Sequence, residues 1–180
     1  MKVQIIYASR TGCTRKLAQA IYEGIQVEEK TIHDLADGMP ELDGDIILFG
    51  YWGMTGGPDK DTRALLETVK GKTLGFFATL GYYADTRHGF DTMHWGAEHL
   101  KDDNEIIGSF ICTGAVASAL KKGQGKSEGQ VPTEQKEIRW EIGASHPTEA
   151  ECALAAERFR ERIFLYQRCK ELNIPFQSIL

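Results

Sequence analysis

Ser9, Thr11 and Thr14 set three hydroxyls around one glycine, Gly12, in the stretch Ser9-Arg10-Thr11-Gly12-Cys13-Thr14. The apolar run at 3–8 just before it reads as a buried strand. The spacing of Leu17, Ala18, Ile21 and Ile25 after it predicts a helix over 14–25. A strand that hands over this abruptly leaves the first helical N–H groups unpaired and turns the positive end of the helix dipole toward the bend. A phosphate is stabilised in such a place without any lysine. Gly12 lets the backbone approach closely, and hydroxyl donors add charge-assisted bonds of roughly 1.5–3 kcal/mol each. A monophosphate cradle is one reading of the bend; a simple cap of the helix by Ser9 or Thr11 is the other. The pattern is neither G-x-G-x-x-G nor G-x-x-x-x-G-K-[ST], which disfavours a dinucleotide or a nucleoside triphosphate. Gly123 to Ser127, "GQGKS", looks like the end of a triphosphate loop, but Leu120 stands where its first glycine belongs and no strand precedes it.

The elements that must position this bend follow from periodicity. Apolar runs at 3–8, 45–51, 73–80 and 105–113 predict buried strands, with a weaker one near 30–34. Helical patterns fall at 14–25, at 59–69 behind Pro58, at 86–100, and at 148–171, where Thr148-Glu149-Ala150-Glu151 has the form of a capping box. Near-continuously apolar strands alternating with helices imply a parallel sheet covered on both faces. The expected fold is α/β: a three-layer, doubly wound, five-stranded domain spanning 1–180. One polar, glycine-rich insertion at 119–144 reads as a long surface loop, with a short strand around 138–142.

Composition narrows the function. The chain has 180 residues, of which 42% are hydrophobic, enough for one sizeable core. Its 26 acidic and 21 basic residues give a net charge of −5, a poor balance for gripping nucleic acid. No signal peptide is recognised at the start and no apolar run approaches the roughly 18 residues of a membrane span, so a cytoplasmic location is expected. Cys13, Cys112, Cys152 and Cys169 form no C-x-x-C and read as reduced thiols rather than as a disulfide framework or zinc site. His88, His94 and His99 lack the 3- or 4-residue spacing of ligands and read as surface groups; no metal site is expected. No ordered Ser-His-Asp or Cys-His signature occurs. The last helix is expected to pack Leu154, Phe159, Ile163 and Phe164 on the sheet.

Ser9 to Thr14 matches the [ST]-x-T-G-x-T phosphate loop of flavodoxins, and the chain resembles that family over nearly its whole length outside 119–144. The resemblance implies flavin mononucleotide (FMN), held at the carboxyl ends of a sheet of order 2-1-3-4-5, the arrangement for which flavodoxins are a known example. It assigns the phosphate to Ser9, Arg10, Thr11, Gly12, Cys13 and Thr14. It assigns the ring to two loops. "FGYWGMTGG" offers Tyr51, Trp52 and Gly53; "ATLGYYADT" offers Thr79, Leu80, Gly81, Tyr82, Tyr83 and, nearby, Asp85. Cys112-Thr113-Gly114 matches the family's small-residue turn after the fifth strand, and the His146-Pro147 entry to the last helix matches it as a structural feature. Flavodoxins commonly surround the flavin with acids, whereas these loops also carry Arg10, Arg87 and His88, a departure that bears on reduction potential. The resemblance implies an electron carrier that docks transiently on a redox partner, a reductase or a flavin or iron–sulfur enzyme. It is nearest the branch of anaerobic gut bacteria in which a small flavodoxin-like subunit accompanies bilirubin reductase. An FMN-dependent NAD(P)H oxidoreductase, with Trp140 in the insertion walling a substrate site, and a non-catalytic docking subunit remain the alternatives.

Overall fold

The computed structural model describes residues 1–122 and 134–178. In chain order the elements are β1 (Lys2–Tyr7), α1 (Cys13–Gly24), β2 (Glu29–Asp34), a 3₁₀ turn (Leu35–Asp37), β3 (Ile46–Trp52), α2 (Lys60–Leu66), β4 (Thr73–Leu80), α3 (Arg87–Leu100) and β5 (Glu105–Thr113). They continue with α4 (Ser118–Lys121), α5 (Glu134–Gly143) and α6 (Glu149–Glu171). All strand pairings are parallel and the order is β2-β1-β3-β4-β5. The chain therefore reverses direction across the sheet between β1 and β3, and that opens a crevice at the carboxyl ends of those strands.

Two apolar layers sandwich the sheet. On one face α1 and α6 cover Val3, Ile5, Leu48, Phe77 and Ile107; on the other α2 and α3 cover Ile6, Ile47, Phe49, Phe76 and Ile106. Odd and even strand residues divide between the layers because successive side chains alternate across a strand. The central strands β1, β3 and β4 are buried nearly throughout, whereas edge strand β2 is exposed or half-buried except at Asp34, which explains its weak apolar signal.

Helix starts follow local chemistry. Asp59 and Thr86 cap α2 and α3 with side-chain oxygens. Thr148 caps α6 in a complete capping box: its hydroxyl accepts from the Glu151 N–H at 3.2 Å, and a Glu151 carboxylate oxygen accepts from the Thr148 N–H at 2.7 Å.

Two expectations need correction. The segment 138–142 is helix, not strand. Ile138, Trp140 and Ile142 alternate, but the intervening Arg139 and Glu141 are good helix formers, and α5 buries Trp140 and Gly143 while Ile138 and Ile142 stay exposed. The insertion is thus partly helical, with α4 and α5 inside 118–143; "GQGKS" at 123–127 lies outside the described residues. On α6, Phe159 and Ile163 are buried as expected, but Leu154 and Phe164 are 48% and 63% exposed. Each lies five residues from Phe159, about 140° around the helix, and so leaves the buried stripe. Among the described residues no helix is long and apolar enough to cross a membrane.

Candidate functional site

The bend between β1 and α1 is built around Gly12. It is the residue before the helix proper, with φ +89° and, as a glycine, no side chain of its own to cap the helix. No atom lies within 4 Å of where a Cβ would stand, so it is the left-handed backbone that calls for glycine here, not crowding. The Gly12 carbonyl accepts from the Lys16 N–H at 2.9 Å, while the Cys13 and Thr14 N–H groups find no acceptor among the described residues. Ser9 accepts the Arg15 N–H on its Oγ at 3.2 Å, so it does cap the helix, with its own proton still available to donate. Thr11 is exposed on the bend.

Cys13 and Thr14 are buried at the base of the bend. The Cys13 thiol is buried, donates to the His146 carbonyl at 3.4 Å and accepts the Ala115 N–H at 3.2 Å. It ties the bend to the loops after β5 and α5. Thr14 is 1% exposed, and its Oγ1 lies 3.0 Å from Thr79 Oγ1.

At the end of β3 the two adjacent aromatics separate. Tyr51 is fully buried; its hydroxyl donates to the Thr92 carbonyl at 2.8 Å, and burial pushes the phenol pKa up. That removes Tyr51 from the candidate ring partners, because strand alternation turns it into the core beneath α3. Trp52 is half-buried at the strand's end, and the Arg10 guanidinium lies over its indole, 5.3 Å from the ring centroid. Gly53 donates its N–H to the Thr79 carbonyl at 2.8 Å, and a Cβ there would come 2.9 Å from Thr92 Cγ2. Met54 and Gly57 then exchange backbone bonds across a tip that holds Thr55 at φ 49° and Gly56 at φ 81°.

The β4 end is arranged similarly. Leu80 is buried and its carbonyl accepts from the Gly114 N–H at 2.8 Å. Gly81 packs against Val116, whose Cγ2 would be 2.5 Å from a Cβ at that position. Tyr82 and Tyr83 meet edge to face at 5.7 Å and are 37% and 42% exposed; Arg139 of α5 lies 4.3 Å from the Tyr82 ring centroid. Asp85 is exposed.

These loops enclose one cavity of about 240 Å³ at the carboxyl edge of the sheet. Arg10 and Thr11 reach it from the bend, Trp52 and Gly53 from β3, and Thr79, Leu80 and Gly81 from β4. Ser9, Gly12, Cys13, Thr14, Tyr82, Tyr83 and Asp85 are not among its walls. Sequence reasoning missed a fourth wall, Ala115, Val116, Ala117 and Leu120, as well as Met54 and Thr55 on the β3 tip. The Cys112-Thr113-Gly114 turn pointed toward that wall, but small apolar residues carry no chemical signature. A second cavity, of about 630 Å³, opens behind Trp52 toward α2 and also touches Arg10. On α3, His99 stacks on Trp95 at 4.4 Å and His94 tilts over Phe90 at 4.2 Å.

A doubly wound sheet of this order, with glycine-bearing loops gathered at its carboxyl edge, defines a flavodoxin-type domain. The sequence matches the family model described as Flavodoxin domain over residues 4–160, and the chain belongs to that family. It is 34% identical over 159 residues to the flavodoxin-like domain-containing protein BilS of Clostridioides difficile (strain CD3), covering 84% of this chain and 90% of the relative. Among solved structures, oxidised flavodoxin 2 from Bacillus cereus superposes with a TM-score of 0.59 at 18% identity, covering 90% of this chain and 99% of the other. The Fusobacterium nucleatum flavodoxin bound to flavin mononucleotide superposes with a TM-score of 0.54 at 12% identity, covering 93% and 97%. At these identities the structural likeness speaks for the fold.

Proposed function

We propose that this chain is an FMN-binding electron-transfer protein that carries electrons from a reductase to a larger redox enzyme. The observation that supports this most is the convergence of four loops on one cavity beside a helix start whose leading N–H groups have no acceptor among the described residues.

The donor set fits a phosphate monoester. The Cys13 and Thr14 N–H groups stand at the positive end of α1, and the Ser9 and Thr11 hydroxyls flank them. The walls fit a flat ring. Trp52 offers an indole face, with stacking worth about 0.5–1.5 kcal/mol beyond area burial. Gly53 and Gly81, which have no side chains, let the backbone come close to a ligand. When bound, FMN supplies the redox chemistry, and the protein's part is to hold it, orient it and screen it from water. The described cavity walls contain no Asp, Glu, His, Cys or Lys, so no side chain there is placed for acid–base work.

The partner we assign is a flavin or iron–sulfur redox enzyme, with bilirubin reductase the specific candidate. The family branch inferred from the loop motifs leads there, and the similarity to BilS supports that placement. The test begins with the visible spectrum of the purified protein. A yellow protein that binds FMN one to one after reconstitution supports the reading. Colourless protein that takes up no FMN leaves a docking module. Steady NAD(P)H oxidation by the protein alone would count against a carrier.

A further inference from the structure

We propose that Thr79 is a positioning residue that acts on the cofactor's phosphate through Thr14; this rests on the FMN reading above. Four contacts meet at this residue. Its Oγ1 lies 3.0 Å from Thr14 Oγ1, with both side chains out of solvent, and either oxygen can be the donor. Its carbonyl accepts the Gly53 N–H at 2.8 Å. Its Cβ stands 3.1 Å from the Cβ position of Gly114, where the fourth wall begins. It also lines the cavity itself, at the register position opposite Trp52.

The hydroxyl pair sets a direction. Each threonine has one proton to give, and two buried hydroxyls facing each other leave one of those protons without use. With no anion at the helix start, either orientation is equivalent. With an anion there, Thr14 gives its proton outward, and Thr79 must donate to the oxygen of Thr14. A donor bonded from behind in this way is polarised and holds its acceptor more strongly. The same Thr79 accepts the Gly53 N–H on its carbonyl, which seats the Trp52-Gly53 loop beside the hydroxyl pair.

The experiment compares FMN with riboflavin, which lacks the phosphate, by fluorescence titration of the apoprotein. The proteins are wild type, Thr79→Ser, Thr79→Val, Thr14→Val and the double valine variant. Thr79→Val is expected to weaken FMN by about tenfold, as for loss of one such bond, with riboflavin changed less than about twofold. Thr79→Ser, which keeps the hydroxyl, should restore FMN binding. The two valine substitutions should be non-additive for FMN, because they break one chain of bonds. Equal weakening of both ligands by Thr79→Val, or strict additivity of the two substitutions, overturns the proposal. A wild type that binds neither ligand overturns the FMN reading itself, and this proposal with it. If Thr79→Val does not fold, judged by far-UV circular dichroism, Thr79→Ala takes its place: a phosphate-selective loss that Thr79→Ser does not show supports the proposal, and an equal loss of both ligands, or no loss, overturns it.

Discussion

Gly12 and Tyr51 show opposite ways in which a single residue serves the site. Gly12 holds a left-handed bend, with open space where a side chain would stand. Gly12→Ala is expected to lower stability by about 1–2 kcal/mol through backbone strain alone. Gly12→Asn, better tolerated in that conformation, should cost less. Urea unfolding of both variants measures the difference, and equal costs would mean that the bend relaxes. Tyr51 serves by leaving the site and joining the core. Its raised phenol pKa means that the folded protein keeps a proton which the unfolded chain gives up above about pH 10. The associated stability is therefore complete below that pH and is lost as pH rises. Tyr51→Phe should cost about 1 kcal/mol near neutrality, for the bond to the Thr92 carbonyl. It should also lack the alkaline slope, so the gap from wild type narrows between pH 9 and pH 11 in a series of urea melts. A gap that stays constant would show that Tyr51 does not titrate in that range in the unfolded chain. Both residues stood out in the sequence as candidates, Gly12 for the bend and Tyr51 for the ring loop, but Tyr51 lies in the core. A strand's alternation sends one of two neighbouring aromatics inward, and the loop motif alone does not say which.

At the scale of elements, the last helix was the most legible from the sequence and its surroundings the least. The Thr148 and Glu151 pair announced the start of α6, and the box is present with His146 Nδ1 also 2.7 Å from the Glu151 carboxylate. Thr148→Ala is expected to cost about 1 kcal/mol and Thr148→Ser to recover most of it, read as shifts in the thermal midpoint. No shift in the alanine variant would mean that water satisfies the same N–H groups. By contrast, α5 was legible only as a polar stretch with an alternating trio of apolar residues. Its helical state goes with the burial of Trp140 and the packing of Gly143 on the Gly114 carbonyl, 3.1 Å from where a Cβ would stand. Those contacts join residues far apart in sequence, beyond the reach of local propensity.

For the whole molecule, Phe159 shows how the α6 layer supports the sheet. It is fully buried, meets Phe77 edge to face at 6.2 Å, and presses where Gly75 leaves room, since a Cβ there would come 2.8 Å from its ring. Phe159→Ala should cost about 3–5 kcal/mol with an unchanged urea m-value. A cost under about 1 kcal/mol would show that α6 closes over the gap. This face lies under β4, whose far end supplies Thr79 to the cavity, so a collapse of the layer would be expected to disturb the site as well.

By itself the sequence determined the parallel five-stranded architecture, the approximate starts of α1, α2, α3 and α6 and the bend at Ser9 to Thr14, because each is written in local periodicity or in a short run of side chains. Tertiary structure alone decided that Trp52 rather than Tyr51 faces the cavity, that Cys13 meets Ala115 and Thr14 meets Thr79, and that a fourth wall comes from beyond β5. Those outcomes depend on which strand ends the sheet order brings side by side, and no window along the chain contains that information.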